Sequence, residues 1–176
     1  MIEVLLNLIA FLFGRTPTLG VPTRVSDIDH IKKEEQLRLT AYLPTPNDTW
    51  TIGWGHTKTA KRGMVITEEE AEELLRFDLK WVEDTIADLV KVPLTQQQYD
   101  ALAGLIFNIG RPNFKTSTVL RRLNASDYVG AADAFMLWTK QRNKKTGKLE
   151  VLNGLVRRRT EERKMFLNGT PENLQA

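Results

Sequence analysis

The stretch from Thr67 to Val90 limits the fold more than any other part of the chain. Thr67 and Glu70 stand three apart ahead of an amphipathic run. At that spacing each side chain satisfies the other residue's free backbone N–H, so a helix starts there. Its apolar face, Ala71, Leu74, Leu75, Val82, Ile86 and Leu89, carries it to about Val90. Asp78 falls on the same stripe, where a carboxylate needs a partner, and His56 is the natural candidate for an ion pair between two lobes. Pro93 then breaks the chain, and Thr95–Gln98 opens a second, more apolar helix through Leu102, Leu105, Ile106 and Ile109 to Gly110. A long helix between a glycine-punctuated ribbon and a helical body predicts a mainly α, α+β fold. A small β-hairpin lobe is expected on one side of that helix and a larger helical lobe on the other.

The length of 176 residues suits one domain divided into two lobes, and the 41% hydrophobic content supplies a core. Cysteine is absent, which excludes disulfides, a thiolate nucleophile and Cys-ligated zinc. The net charge of +3 is unevenly placed: residues 140–164 hold ten Lys or Arg against three Glu. Such a run is either a solvated helix face or an attractor of polyanions, including nucleic acid, an anionic membrane and an acidic wall polymer.

Residues 2–13, IEVLLNLIAFLF, are almost wholly apolar. As a helix they rise about 18 Å, short of the roughly 30 Å hydrocarbon core. They lack a basic flank before them and a small-residue cleavage pattern after them. A helix packed on the domain, an interfacial membrane anchor and a weak export signal remain open for residues 1–14. Residues 15–25 read as a linker, 26–169 as the folded domain and 170–176 as a polar tail. Ser26, with Asp29 three residues on, is expected to cap the first helix of that domain.

On this first helix Ile28, Ile31 and Glu35 share one face, so Glu35 occupies an apolar position. An acid at a core edge has its charged form disfavoured, which raises its pKa toward the range of a general acid. The alternative is a surface glutamate on a short helix. Leu39, Ala41 and Leu43 then alternate, Pro44–Asp48 makes a turn, and Trp50, Ile52 and Trp54 alternate with Thr51, Gly53 and Gly55. Glycines beside tryptophans imply close backbone approach or a flat ligand surface. Trp54 is thus a sugar-stacking candidate or, more commonly, core. Later helices are expected from about Thr116 to Leu123, from a Ser126 cap to Trp138, and over Leu155–Leu167. Thr139–Asn153 reads as a polar loop.

His30 and His56 are the sole histidines, which excludes a multi-His metal centre, and no metal or cofactor is expected. Phosphate-cradling and dinucleotide motifs are absent, and neither histidine has a serine in a nucleophile-elbow setting. Carboxylate chemistry with hydroxyl help remains, and it points to glycosidic bonds.

The segments Glu35-Gln-Leu-Arg-Leu-Thr-Ala-Tyr42 and Trp50-Thr-Ile-Gly-Trp-Gly-His-Thr57 resemble the active-site region of phage-type lysozymes, glycoside hydrolase family 24. The likeness continues through Asp78, Val92–Gln96, Phe107–Gly110, Trp138 and Gly154–Glu162, covering roughly Ile28 to Leu167. It implies a two-lobed fold that cleaves the β-1,4 bond between N-acetylmuramic acid and N-acetylglucosamine in peptidoglycan. By position Glu35 matches the general acid, Thr51 the threonine that places water, and His56 and Asp78 an interlobe pair. Arg158 matches an arginine close to the acid, and with Trp54, Asn108 and Trp138 it forms the expected substrate contacts. The family has Gly where this chain has Gln36. Its aspartate lies about six residues before the threonine, which here is Thr45, so Asp48 is the only carboxylate in the loop that can take the role.

The resemblance implies an endolysin made in the host cytoplasm and acting on the wall in the periplasm. Peptidoglycan strands are its partner and nucleic acid is not. The chain is expected to be a monomer, with residues 2–13 available to an anionic inner membrane. A lytic transglycosylase and a non-catalytic wall-binding relative of the fold are the competing readings.

Overall fold

The computed structural model describes residues 22–45, 48–143 and 146–170. The apolar segment 2–13, most of the 15–25 linker and nearly all of the polar tail lie outside the described residues. The chain is mainly helical, with two small antiparallel sheets, as the sequence predicts.

Helix α1 (Asp29–Lys32) is shorter than expected and is not capped by Ser26. Ser26 instead gives its backbone N–H and its hydroxyl to the Asp100 carboxylate, at 2.9 and 2.8 Å. Residues just before it are also held: Val25 is buried, and the Thr23 carbonyl accepts from the Tyr99 hydroxyl at 3.1 Å. Strands β1 (Arg38–Tyr42) and β2 (Thr51–Gly53) pair antiparallel with a register irregularity. Residues 64–66 add a further edge to β1, with Ala41 N–H on the Met64 carbonyl and Ile66 N–H on the Leu39 carbonyl, each at 2.9 Å.

Helix α2 (Glu68–Leu89) carries the full Thr67–Glu70 capping box. Gly53 ends β2 with φ of +62°, and a Cβ there would lie 3.4 Å from the Ala71 Cβ. The glycine therefore allows the sheet to rest on the first turns of α2. Helix α3 (Gln96–Ile109) has the second capping box, and its residues 98–106 are buried without interruption. It is the central helix of the larger lobe.

Three elements differ from expectation. A short helix α4 (Arg111–Lys115), begun by Pro112, precedes α5 (Thr118–Leu123), whose cap is Ser117. Helix α6 (Tyr128–Ala134) is capped by Asp127, which accepts from Gly130 N–H at 2.8 Å. Ser126 stands at φ +61° and cannot supply the extended cap geometry. After a 3₁₀ turn over Phe135–Trp138, the expected loop folds as a hairpin of β3 (Lys140–Arg142) and β4 (Leu149–Val151). Both its strands are exposed, so no apolar alternation announces it. Helix α7 (Asn153–Asn168) closes the chain against α3, with Phe166 packed on Phe135 at 5.6 Å between ring centroids. Thr170 remains buried beyond it, accepting from Gln98 Nε2 at 3.0 Å.

Candidate active site

Glu35 leaves α1 on a bend rather than on the helix, with its N–H on the Lys32 carbonyl at 3.2 Å. Its carboxyl is part-buried and meets the Arg158 guanidinium of α7, Nη1 to Oε1, at 3.2 Å. Burial raises its pKa, the Arg158 charge and hydrogen bond oppose that, and nearby Glu34 adds to the rise. The predicted direction thus holds, although a bend and not a helical face produces it.

Arg158 is itself buried, and its donors are used within the protein. Nε binds Glu162 Oε1 at 3.1 Å, Nη1 binds Glu35, and Nη2 binds the Gly104 carbonyl of α3 at 3.2 Å. It therefore holds the glutamate in place, as an arginine matched close to the acid is expected to do, with three of its five N–H donors spent inside the protein. The neighbouring Arg159 is fully buried against Glu162 at 2.7 Å and gives Nη1 to the Asn108 side-chain oxygen Oδ1 at 3.2 Å. Two cations of the basic run are thus internal and neutralised, not part of an exposed polyanion-attracting face.

Thr51, at the start of β2, is buried, and its hydroxyl donates to the Thr49 carbonyl at 3.0 Å. Its oxygen lone pairs stay available to accept. Asp48 is exposed: its carboxylate accepts from Thr45 Oγ1 and its N–H bonds the Thr45 carbonyl, both at 3.0 Å. Among the described residues no hydrogen bond joins Asp48 or Thr51 to Glu35. Asn108 is exposed in the last turn of α3, and Trp138 is half-buried at the end of the 3₁₀ turn.

Trp54 is only 6% exposed, within the core, with Lys32 Nζ 4.7 Å from its ring centroid. That burial fits the commoner of the two expected uses, core packing. His56 and Asp78 form the predicted pair, Nδ1 to Oδ2 at 2.8 Å, and His56 Nε2 meets Thr59 Oγ1 at 2.8 Å. The pair ties the turn after β2 to α2. Reciprocal Ile52 and His56 backbone bonds at 2.9 Å close that turn around Gly55 at φ +93°.

Sequence reasoning gives Arg159, Glu162 and His30 no role. Their helical spacings are visible in the chain, but burial of charge depends on partners brought from α1 and α3. Among the described residues no cluster could hold a metal ion, and no helix is long and apolar enough to cross a membrane.

Residues 32–162 match the Phage lysozyme family, a span that contains Glu35, Thr51, Arg158 and the His56–Asp78 pair. The chain belongs to the phage lysozyme family. It is 50% identical over 146 residues to the endolysin of Salmonella phage P22, across 80% of this chain and 94% of that protein. Among solved structures, the muramidase domain of SpmX from Asticaccaulis excentricus superposes with a TM-score of 0.77 at 42% identity, covering 84% of this chain and 99% of that one. A point mutant of P22 lysozyme superposes with a TM-score of 0.70 at 46% identity, covering 82% and 98%. As a phage lysozyme the chain is a glycosidase of the muramidase class, a peptidoglycan hydrolase of host-cell lysis.

Proposed function

We propose that Glu35 is the general acid of this hydrolase and that Asp48 and Thr51 manage the attacking water. The observation that carries the reading is the Glu35 carboxyl, part-buried and raised in pKa by that burial, yet held by Arg158 at 3.2 Å. The substrate is the peptidoglycan glycan strand, cut between N-acetylmuramic acid and N-acetylglucosamine. Glu35 gives its proton to the glycosidic oxygen as the C1–O bond breaks, and the bonding pair leaves with that oxygen. Water adds to C1, with one hydrogen on Thr51 Oγ1 and the other proton passing to the Asp48 carboxylate. Asn108 and Trp138 offer an exposed amide and a half-exposed ring to the sugars.

The enzyme acts as a monomer, made in the host cytoplasm and working on the wall in the periplasm. Residues 2–13 associate it with the anionic inner membrane through their apolar length. Cell fractionation with and without residues 1–14 tests that association, and unchanged distribution would refute it. Mass spectrometry of released muropeptides tests the chemistry: reducing ends are expected, whereas 1,6-anhydro ends would mean transglycosylation. Asp48→Asn should lower turnover at least a hundredfold, on the order of what a positioned base contributes; full activity would remove Asp48 from the mechanism.

A further inference from the structure

Beneath the Glu35–Arg158 contact lies a layer of buried charge that the roles above leave unused. Glu162 of α7 is 3% exposed, and its Oε1 accepts from Arg158 Nε at 3.1 Å and Arg159 Nη2 at 2.7 Å. Its Oε2 is buried and receives no hydrogen bond from the protein. His30 of α1 meets the same face of Gly104: a Cβ at residue 104 would lie 2.9 Å from His30 Nε2 and 3.1 Å from Glu162 Oε1. His30 Nδ1 meets the Asp27 carbonyl at 2.5 Å, while Nε2 is buried without a hydrogen bond. A carbonyl only accepts, so Nδ1 carries the proton. Burial favours the neutral ring, while the Asp27 and Asp100 backbone carbonyls and carboxylates oppose it.

His30 and Glu162 line one cavity of about 40 Å³ together with Glu34, Arg158, Glu161 and Met165. That volume has room for a water molecule between polar groups. A buried carboxylate oxygen with no donor beside it disfavours the charged carboxylate, so the burial of Glu162 Oε2 favours a proton on that residue.

We propose that Glu162 is a positioning residue acting on Glu35 through Arg158, and that a proton on the Glu162 carboxyl sets how much of the Arg158 charge reaches Glu35. The inference rests on Glu35 being the acid. Burial, opposed by Arg159 and Arg158, pushes the Glu162 carboxyl up to about 7, which places the proton's loss near neutrality. With the proton present, Arg158 and Arg159 act undiminished on Glu35 and favour its carboxylate. Once the proton leaves, the Glu162 anion offsets both cations, and Glu35 keeps its own proton to higher pH.

The other charged groups around this layer are held in place by partners. Glu34 is bound by Arg157 at 3.1 Å and Glu161 by Lys33 at 3.0 Å. Asp100, facing from α3, accepts from Ser26 and Gln96. The Asp27 carboxylate accepts from Asp29 N–H at 3.0 Å.

Glu162→Gln isolates the charge. Its amide oxygen can take the arginine bonds, and the side chain copies the uncharged state without titrating. On peptidoglycan, the full-chain variant should keep its acid-side rate within about twofold. On the alkaline limb it should lose about tenfold as that limb moves to lower pH. The Glu35 ¹³C-carboxyl resonance should titrate at lower pH than in the parent. A fall by one factor at every pH, with the Glu35 titration unmoved, would leave Glu162 a merely structural residue and overturn the proposal.

Should the variant not fold, the parent protein decides. Its Glu162 and Glu35 resonances should share a step near neutral pH, and two independent curves would overturn the coupling. The resonance titration needs no turnover, so a Glu35→Gln protein that kept activity would sink the acid role without being confused with this result.

Discussion

Gly104→Ala sets backbone propensity against packing at the point where α3, His30 and Glu162 meet. Alanine favours a helix interior over glycine by about 0.8–1 kcal/mol. The added Cβ would lie 2.9 Å from His30 Nε2 and 3.1 Å from Glu162 Oε1, and neither neighbour yields easily. The imidazole is tethered through Nδ1 to Asp27, the Glu162 carboxylate takes two arginine bonds, and Arg158 Nη2 sits on the residue's own carbonyl at 3.2 Å. Overpacking at a fixed site costs about 1–3 kcal/mol, and two tethered neighbours put this one in the upper half. The net loss is then about 1–2 kcal/mol, or a Tm lower by roughly 3–6 °C for a domain of this size. Thermal unfolding followed by circular dichroism near pH ~6 reads it, below the Glu162 step. Lytic activity should fall in parallel, because the displaced Arg158 no longer holds Glu35. A Tm equal to or above the parent's would show that the cluster yields freely and would refute the tight meeting over Gly104.

Other outcomes follow from the same contacts. Asp78→Asn takes the charge from the His56 bond and should cost about 1.5–3 kcal/mol in urea unfolding; no loss would mean that the pair does not tie the lobes. Thr67→Ala breaks the capping box of α2 and should cost about 1 kcal/mol, read as a small drop in Tm. Glu162 is raised when folded, so the folded chain binds more protons than the unfolded one between the ordinary carboxylate range and about 7. Stability should therefore be greatest on the acid side of that window and fall as pH rises through it, by on the order of 3 kcal/mol. Urea titrations near pH ~4 and ~7.5, either side of the window, measure the fall, and Glu162→Gln should flatten it. An equal slope in both proteins would assign the fall elsewhere.

The features legible in the sequence are those whose cause is local. Thr67–Glu70 and Thr95–Gln98 declare α2 and α3 because the capping bonds join residues three apart. Asp78 on an apolar stripe points to His56 because a half-buried acid requires a partner. Ser26 and Ser126 look like caps by type, but Ser26 is claimed by Asp100 from α3, and the φ of +61° at Ser126 hands the cap to Asp127. The β3–β4 hairpin buries neither face, so its residues show no alternation. Trp54 reads either way until its surroundings fill with protein. Charge pattern alone leaves Arg158, Arg159 and Glu162 in a solvated or polyanion-attracting basic run, because their burial depends on Glu35, Gly104 and Asn108, which are distant in the chain.

The central claim is that the Glu35 carboxyl delivers the proton that breaks the glycosidic bond. Glu35→Gln keeps the side chain's size and can still accept from Arg158, so its circular dichroism and Tm should stay near the parent's. Turnover on purified peptidoglycan, read as new reducing ends, should fall at least a hundredfold, since positioned acid catalysis contributes about 10²–10⁴. A folded Glu35→Gln protein that released reducing ends at the parent's rate would contradict the account.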